Sequence, residues 1–264
     1  MIKEERQSKI IELIDKNTFL TVSDIAGKIG VSEMTIRRDI TELDEKNLVT
    51  KRYGGVQKKA PSDQKTLTTK EKLPSNIKEK KYIGKILNRM IPDGATIFVA
   101  AGTTMFYALQ EIKAKNLSVI TNSLIAFNYL KEETDYRILL TGGEFNSETD
   151  EFSGPATLRF FEDLNIDITF AATNGVIGKN ITSSSFDLGW VENAAFDKSK
   201  IKCVVLDSSK LGKSDVYTFM TLDKIDYLIT DNKITDEQLR EYGQYTKILT
   251  KAERLRERHS RKVK

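Results

Sequence analysis

VSEMTIRRDI, residues 31–40, is the stretch around which the N-terminal part of this 264-residue chain is organised. On a helix at about 100° per residue, Ile36, Ile40 and Leu43 share one face, which needs an apolar partner. The rest of the helix surface carries Met34, Thr35, Arg37, Arg38 and Thr41. We therefore expect a helix that packs on one side and presents its other side to a second molecule.

The preceding residues supply the apolar partner. In residues 20–29, LTVSDIAGKI, apolar side chains recur at helical spacing. Gly30 can end this helix with a positive φ, and Ser32 can cap the next one. Two helices at a short turn, the second with exposed arginines, are typical of a recognition helix for the DNA major groove. The alternative is a small helical bundle whose arginines are only solvated.

The next segment favours DNA binding. Thr50–Gly55, TKRYGG, is basic and ends in a glycine pair that can turn a hairpin. It follows the arginines at a distance that lets a wing reach phosphates beside the groove. Residues 3–16 predict a first helix, and residues 19–22 predict a short strand that pairs with the wing. The inward side chains of the first helix are Ile10, Ile11 and Ile14.

Residues 1–57 resemble the winged-helix reader of the DeoR family of bacterial sugar-metabolism repressors. The matching positions are Arg6, Ile10, Val31, Ser32, Thr35, Arg37, Arg38, Asp39, Leu43, Gly54 and Gly55. The resemblance implies that operator double-stranded DNA is contacted by Ser32, Met34, Thr35, Arg37, Arg38, Lys51, Arg52 and Tyr53. Asp39 is expected to pair with a basic residue and fix its rotamer.

Composition restricts the class of protein. A hydrophobic fraction of 39% suits a folded chain with one small domain and one of ordinary size. The longest uncharged stretch, Ala95–Gln110, is too short and polar to cross a bilayer, so we expect a cytoplasmic protein without membrane contact. One cysteine, Cys203, and one histidine, His259, disfavour a disulfide, a metal site and histidine general-base chemistry. No cofactor is expected.

Four segments follow from changes along the chain. Residues 1–57 form the predicted reader, and residues 58–75, which are polar and contain two of the four prolines, form a linker. Residues 76–250 form a larger domain. Residues 251–264 are a basic tail with 7 Lys/Arg against 2 Asp/Glu, either solvated or attracted to DNA phosphates.

Strand and helix patterns alternate through the larger domain. Strands are predicted at residues 96–100, 118–121, 136–141, 168–172, 202–207 and 227–230. Helices are predicted around residues 83–90, 103–111, 124–131, 156–164 and 191–198. Short apolar strands between helices indicate an α/β domain with a mainly parallel sheet covered on both faces. Ligands of such sheets lie beyond the carboxyl ends of the strands.

Five of these strands end in small, hydroxyl, amide or glycine residues. Each ending alone can be an ordinary capped turn, but five at one sheet edge predict a pocket for an anion with hydroxyl groups, such as a phosphorylated sugar. The endings are Ala101-Gly102-Thr103-Thr104, Thr121-Asn122-Ser123, Thr141-Gly142-Gly143-Glu144, Thr173-Asn174-Gly175 and Asp207-Ser208-Ser209-Lys210.

GTT, TNS, TGGE and DSSK, in this order, are similar to the sensor domain of DeoR-type repressors, whose fold is related to ribose-phosphate isomerases and CoA transferases. The resemblance implies effector binding by Gly102, Thr103, Thr104, Asn122, Gly142, Gly143, Asn174 and Lys210. The two loop glycines would let the backbone approach the sugar. Asn174 with Thr182-Ser183 resembles the branch of lactose phosphotransferase system repressors, which sense tagatose 6-phosphate.

Two positions depart from the family pattern. Ala100 stands where most members have an acidic residue, and Phe196 where they have a lysine. Both departures are expected to change how a sugar is held. The lactose phosphotransferase system branch also lacks both charges, so the resemblance implies a ketohexose phosphate as effector. The alternative is a pocket that has lost or changed its ligand.

The sequence therefore predicts a repressor controlled by a sugar phosphate and acting as a homodimer or homotetramer. The alternative is a sugar-phosphate isomerase with an appended reader, for which Glu144 and Asp207 are candidate bases. An activator of the same architecture cannot be separated from a repressor by sequence.

Overall fold

The computed structural model describes residues 3–15, 19–45, 48–52, 55–58 and 67–251. The chain divides into two compact units, residues 1–66 and residues 67–264. The stretch predicted as a linker, residues 58–75, therefore reaches into the second unit from residue 67 onward. Tyr53 and all but the first residue of the predicted tail lie outside the described residues.

The described N-terminal unit contains three helices and a three-stranded antiparallel sheet of order β1-β3-β2. In chain order its elements are α1 Lys3–Asp15, β1 Phe19–Thr21, α2 Val22–Ile29, α3 Glu33–Glu45, β2 Val49–Arg52 and β3 Gly55–Lys58. The predicted first helix, helix-turn-helix and wing strands are confirmed. The predicted strand before α2 also pairs with the wing, since β1 pairs with β3.

Local hydrogen bonds set the turn between α2 and α3. Gly30 has a φ of 80°, and its N–H donates to the carbonyl of Ala26 at 2.8 Å, which ends α2. The hydroxyl of Ser32 accepts from the N–H of Thr35 at 3.3 Å, which caps the start of α3. Both expected roles of these turn residues are confirmed.

A single apolar core orients α3. Ile36, Ile40 and Leu43 are at most 1% exposed and pack with Ile10 of α1 and Ile25 of α2. Burying each such side chain contributes about 1.5–3 kcal/mol, so rotating α3 about its axis would be strongly unfavourable. The core therefore holds the polar side of α3 toward solvent.

The second unit is built on a seven-stranded parallel sheet of order β15-β14-β12-β9-β4-β5-β6. Its helices are α4 Thr69–Lys72, α5 Ile77–Met90, α6 Thr103–Leu109, α7 Leu124–Glu133, α8 Pro155–Phe160, α9 Phe186–Asp197 and α10 Asp236–Gly243. Its strands are β4 Thr96–Val99, β5 Ser118–Thr121, β6 Arg137–Leu140, β7 Glu144–Asn146, β8 Glu151–Ser153, β9 Ile166–Ala172, β10 Gly175–Ile177, β11 Asn180–Ser183, β12 Ser199–Val205, β13 Tyr217–Thr221, β14 Tyr227–Ile229 and β15 Lys247–Leu249.

The strand order reverses direction between β4 and β9. From β4 the chain proceeds through β5 to β6, whereas from β9 it proceeds through β12 and β14 to β15. Both faces of β4 are covered, because Ile97 and Val99 join one apolar cluster while Phe98 and Ala100 join another. The carboxyl ends of β4 and β9 therefore form the crevice where ligands of open parallel sheets bind.

The predicted α/β fold and all six predicted strands are confirmed, and Cys203 is buried in β12 as expected. The hairpin of β7 and β8, the small sheet of β10, β11 and β13, and the edge strand β15 were not predicted. Among the described residues, no helix has the length and apolar character needed to cross a bilayer.

Candidate functional site

The exposed side of α3 carries the predicted DNA-binding residues. Met34, Arg37 and Arg38 are exposed at positions i, i+3 and i+4, so they form one stripe. Met34 is 76% exposed although it is apolar, which suits a contact with another molecule. Arg37 lies 3.5 Å from Glu33 on the same helix, an exposed pair that contributes little to stability.

A buried ion pair fixes α3 against α1. Arg6 donates to both carboxylate oxygens of Asp39, at 2.5 and 3.1 Å, and Asp39 is 1% exposed. The prediction that Asp39 pairs with a basic residue is confirmed. Because a two-pronged arginine–carboxylate contact constrains both distance and angle, it holds the backbone that carries Arg37 and Arg38.

The wing is joined to the same helix. The Lys51 ammonium donates to the hydroxyl of Thr41 at 2.9 Å, and the Lys51 N–H donates to Asp44 at 2.9 Å. Lys51 is exposed, so its charge remains accessible. The Arg52 side chain and Tyr53 lie outside the described residues. Contact of all eight predicted residues with DNA stays a prediction.

A cavity that is partly open to solvent lies beyond the carboxyl ends of β4 and β9 in the second unit. Its wall includes the loop that leads from β4 into α6 and the residues that follow β9. Six predicted effector residues line it: Gly102, Thr103, Thr104, Asn122, Asn174 and Lys210. The structure therefore brings together strand endings that are far apart in sequence.

The other two predicted effector residues, Gly142 and Gly143, do not line this cavity. Gly143 has a φ of 115°, and a Cβ there would lie 2.1 Å from the hydroxyl of Thr157 and 2.5 Å from the Ser153 carbonyl. The Thr157 hydroxyl also donates to the Gly142 carbonyl at 2.6 Å. The turn that contains these glycines packs against Thr157 of α8, and their part in effector binding stays a prediction.

Three lysines surround the cavity, and two of them were not predicted. Lys72 and Lys210 line it, and the buried Lys80 donates to the Thr103 hydroxyl at 2.9 Å. Lys210 donates to the Thr173 carbonyl at 2.7 Å. Burial lowers the pKa of all three lysines, that of Lys210 to about 8, because desolvation disfavours the charged form.

Close helix packing places Lys80 beside Thr103. A Cβ on Gly84 would lie 2.6 Å from the Ala108 carbonyl, so α5 and α6 approach each other where only glycine fits. The sequence does contain a feature from which burial of Lys80 could be predicted. Lys80 lies three residues before Ile83 and seven before Leu87, on the apolar side of α5. A lysine at such a position predicts a buried ammonium with polar partners.

Two carboxyl groups also line the cavity, Glu151 of β8 and Glu192 of α9. Desolvation by burial raises the pKa of Glu151 to about 7, although the nearby Lys72 charge opposes this rise. Burial, reinforced by repulsion from Glu151, raises the pKa of Glu192 well above its usual value. No sequence signal marked Glu151, because its hairpin was not predicted.

Some polar atoms in the wall have no partner within the described structure. The Thr104 hydroxyl and Glu192 Oε2 are buried and make no hydrogen bond there. An unsatisfied buried polar atom costs roughly 1–3 kcal/mol, so both favour a polar ligand in the cavity. The amide of Asn122 is instead used by the protein, since it accepts from Ala101 N–H and donates to the Phe152 carbonyl.

The two departures from the family pattern have different surroundings. Ala100 lines the cavity, so the missing acidic side chain changes the wall directly. Phe196 is fully buried among apolar residues such as Val176 and Ile181 and does not line the cavity. Its side chain fills the core, and the effect of the missing lysine on how a sugar is held stays a prediction.

The candidate bases of the enzyme alternative do not line the cavity either. Glu144 is exposed on β7. Asp207 is buried and accepts hydrogen bonds from Asn76 and Ser209. Neither carboxylate is therefore placed to take a proton from a molecule in the cavity.

Replacing Glu151 by glutamine is expected to stabilise the ligand-free protein at pH 8 but not at pH 4.5. A folded pKa of about 7 against 4.5 when unfolded means that the native state binds the extra proton in this window. Wild-type stability therefore falls as the pH rises through it, by up to about 3 kcal/mol at about 1.4 kcal/mol per pH unit. Urea unfolding at both pH values measures the difference.

The control for this prediction is Glu148→Gln, which removes an exposed carboxylate near the same hairpin. We expect it to change stability by less than about 0.5 kcal/mol at either pH. Equal effects of Glu151→Gln at pH 4.5 and pH 8 would show that the Glu151 carboxyl group titrates normally.

Each of the two units matches a known protein family. Residues 6–61 match the model of a DeoR-like helix-turn-helix domain, and residues 75–232 match that of the DeoR C terminal sensor domain. The chain is 35% identical over 251 residues to a lactose phosphotransferase system repressor of Streptococcus mutans, covering 94% of this chain and 100% of the relative. A repressor of the same name from Staphylococcus epidermidis is 35% identical over 234 residues, covering 88% and 93%.

The solved structures that resemble this chain are more distant. Ribose 5-phosphate isomerase A from Neisseria gonorrhoeae aligns over 54% of this chain and 56% of its own, with 12% identity and a TM-score of 0.40. At this similarity the alignment carries no argument about activity.

The relatives that match nearly the whole chain are named as repressors, and both units match DeoR models. The protein is therefore a regulator rather than an enzyme. The N-terminal unit has a helix-turn-helix whose second helix faces solvent, and the second unit has a polar cavity at the edge of its sheet. Both units match models of the same family. This chain belongs to the DeoR family of transcriptional regulators.

Proposed function

We propose that this protein represses genes of sugar uptake and use, and that it releases operator DNA when a phosphorylated sugar occupies the cavity. The observation that carries the proposal is the set of three lysines around the cavity, Lys72, Lys80 and Lys210. Among the described residues, none of the three forms an ion pair at contact distance, although the Asp207 carboxylate attracts Lys80 and Lys210 from further away. A phosphate group would add negative charge in direct contact through several charge-assisted hydrogen bonds.

The remaining wall suits the hydroxyl groups of a sugar. Thr104 and Glu192 have buried oxygen atoms without partners in the described structure. The raised pKa values of Glu151 and Glu192 favour protonated carboxyl groups near neutral pH. A protonated carboxyl group donates to a sugar hydroxyl and does not repel a phosphate, so the two carboxyl groups are compatible with an anionic ligand.

We propose a ketohexose phosphate, with tagatose 6-phosphate as the first candidate. The proposal is supported by the relatives, which are named for the lactose phosphotransferase system. It is also supported by Ala100, which leaves space in the wall where a carboxylate would otherwise stand.

Specific operator binding by this winged-helix domain requires at least two copies of the chain. A recognition helix of this length contacts one half-site, and paired half-sites mirror a two-fold axis, so we propose a homodimer or homotetramer. Effector binding would then change how well two readers match two half-sites. Because coupling is reciprocal, operator DNA must weaken effector binding by the same factor.

The test begins with mapping the bound sites across the genome, which yields an operator fragment. Full-length protein is then titrated calorimetrically with tagatose 6-phosphate, fructose 6-phosphate and glucose 6-phosphate, and operator affinity is measured with each. We expect heat with a ketohexose phosphate and a fall in operator affinity of about 5–150-fold, the usual range of allosteric coupling. No heat with any sugar phosphate would contradict the sensor function, and a rise in operator affinity would contradict release.

A further inference from the structure

Three aromatic rings form an exposed cluster on the second unit, which we call the aromatic patch: Phe186 and Trp190 of α9 and Tyr217 of β13. The rings of Phe186 and Trp190 are stacked with their centroids 5.9 Å apart, and the centroid of Phe186 lies 3.6 Å from that of Tyr217. Phe186 is 54% and Trp190 53% exposed. The three rings therefore present one apolar surface to water.

The aromatic patch and the cavity lie on opposite sides of α9. Leu188 and Glu192 of this helix line the cavity. At about 100° per residue, Leu188 lies about 200° around the helix from Phe186, and Glu192 lies about 200° from Trp190. A ligand in the cavity therefore does not cover the aromatic patch.

Close packing of α9 on β13 holds the aromatic patch in place. A Cβ on Gly189 would lie 2.5 Å from the Cβ of Phe219, so the helix approaches the strand where only glycine fits. The side-chain amide of Asn193 donates to the Phe219 carbonyl at 3.0 Å. A surface that is fixed in this way loses little conformational freedom when it binds a partner.

The chemistry of the aromatic patch fits a second copy of this chain. A two-fold interface places residues near its axis opposite the same residues of the other copy, where like charges would repel each other. None of the three side chains of the patch is charged, and aromatic rings attract one another in offset or edge-to-face arrangements. A nucleic-acid partner would instead require cationic side chains.

The size of the aromatic patch suits the centre of such an interface. With Phe186 and Trp190 about half exposed, the rings offer on the order of 250 Å² of apolar surface. An interface of ordinary size buries about 800 Å² per partner, with an apolar centre and a polar rim. Asp187 and Thr218, which are exposed next to the aromatic residues in sequence, are available for that rim.

We propose that the aromatic patch is the surface through which two copies of this chain associate, ring against ring around a two-fold axis. The inference rests on the proposed function, because operator binding at two half-sites requires at least two copies. It identifies the surface of the second unit that joins them.

The full-length protein contains its own probe of this contact, since Trp190 is the only tryptophan in the sequence. Sedimentation velocity from nanomolar to micromolar concentration measures association. Tryptophan emission and quenching by acrylamide are measured at the same concentrations. As copies associate, we expect the emission of Trp190 to shift to shorter wavelength and its quenching by acrylamide to decrease, because the ring leaves water.

Two variants test the ring itself. Trp190→Ala should weaken association about thirtyfold or more, as for a tryptophan at the centre of an interface. Trp190→Glu also places two carboxylates near the axis and should raise the concentration of half-association at least about 100-fold. Urea unfolding of both variants checks that the fold is retained. The control is Phe145→Glu, which makes a similar change at an exposed ring of β7 and should associate as the wild type.

The outcomes separate this inference from the proposed function. If copies associate while Trp190 keeps its emission and quenching, or if Trp190→Glu associates as the wild type, copies meet through another surface and the inference is wrong. Release of operator by a sugar phosphate would then still support the proposed function. A protein that stays monomeric at every concentration also overturns the inference. If Trp190 is buried on association and both variants weaken it, yet no sugar phosphate releases operator, the inference stands and the sensor function fails.

Discussion

Replacing Arg38 with alanine is expected to lower operator affinity by at least about thirtyfold. Arg38 is exposed on the polar side of α3, and the core beneath it holds that side toward solvent. An arginine contact to a base edge contributes about 1–3 kcal/mol, and the loss counts twice when two copies occupy two half-sites. The total of about 2–6 kcal/mol corresponds to roughly 30-fold up to more than 10⁴-fold at 1.4 kcal/mol per tenfold.

Fluorescence anisotropy with an operator duplex measures this loss, and calorimetry of the free variant should show unchanged effector affinity. Lys9→Ala, which removes an exposed charge from α1, is the control and should bind operator nearly as the wild type. Comparing operators with single base changes distinguishes the kind of contact. A contact to a base relaxes specificity at one position, whereas a phosphate contact weakens all operators equally and lowers the salt dependence. Wild-type affinity of Arg38→Ala would show that α3 does not present this side chain to DNA.

Replacing Lys210 with methionine is expected to lower effector affinity about 100-fold or more while operator affinity stays unchanged. Lys210 lines the cavity, and its ammonium already donates to the Thr173 carbonyl. Methionine keeps most of the side-chain volume but removes the charge, so a bound phosphate would lose a charge-assisted hydrogen bond inside a partly desolvated wall. Such a loss costs about 1.5–3 kcal/mol for the bond alone, and the desolvated phosphate left without its partner adds to it.

Calorimetry measures the affinity of the variant for the effector, and fluorescence anisotropy measures its affinity for operator DNA. In cells the variant should repress without responding to the sugar. Lys213→Met, an exposed lysine three residues further along, is the matched control and should retain wild-type effector affinity. Full response of Lys210→Met to the sugar would remove Lys210 from the effector site. The same result would also argue against binding of the phosphate by Lys72, Lys80 and Lys210.

The pKa of Lys210, lowered to about 8 by burial, adds a pH dependence to the second prediction. Below pH 8 the ammonium is charged and can bind phosphate, and above pH 8 this contribution is lost as the group deprotonates. Effector affinity of the wild type should therefore fall between about pH 7.5 and pH 9. Lys210→Met should lack this step, which distinguishes loss of the charge from a general effect of pH on the fold.

The N-terminal unit was predictable almost entirely from sequence, and the reasons are local. Periodic apolar residues, a capping serine and a glycine at the turn act over a few residues, and Ile36, Gly30 and Ser32 have the surroundings expected of them. The buried parallel strands were also predictable, because strands covered on both faces have short apolar sequences. The edge strand β15 was missed because only one of its three residues, Leu249, is buried, so its sequence lacks the apolar run of a strand covered on both faces.

The composition of the cavity was predictable only where residues follow a strand of the central sheet. Thr103, Asn122 and Asn174 were identified because the ends of parallel strands converge at one edge. Lys72, Lys80 and Glu151 were missed, since they come from two helices and a hairpin outside that rule. Gly142 and Gly143 also follow a strand of the central sheet, yet their turn packs against Thr157 and does not line the cavity.

The amino-acid sequence by itself determined the helix-turn-helix, the parallel α/β sheet and the family, because these depend on periodicity, turn chemistry and motifs within short segments. Only the tertiary structure decided which charged groups surround the cavity. Lys80 lies beside Thr103 because Gly84 lets α5 approach α6, and Lys72 lies in the wall because Thr69 is bonded to the hairpin side. Such contacts join residues far apart in the chain, and they form only when the whole core has packed.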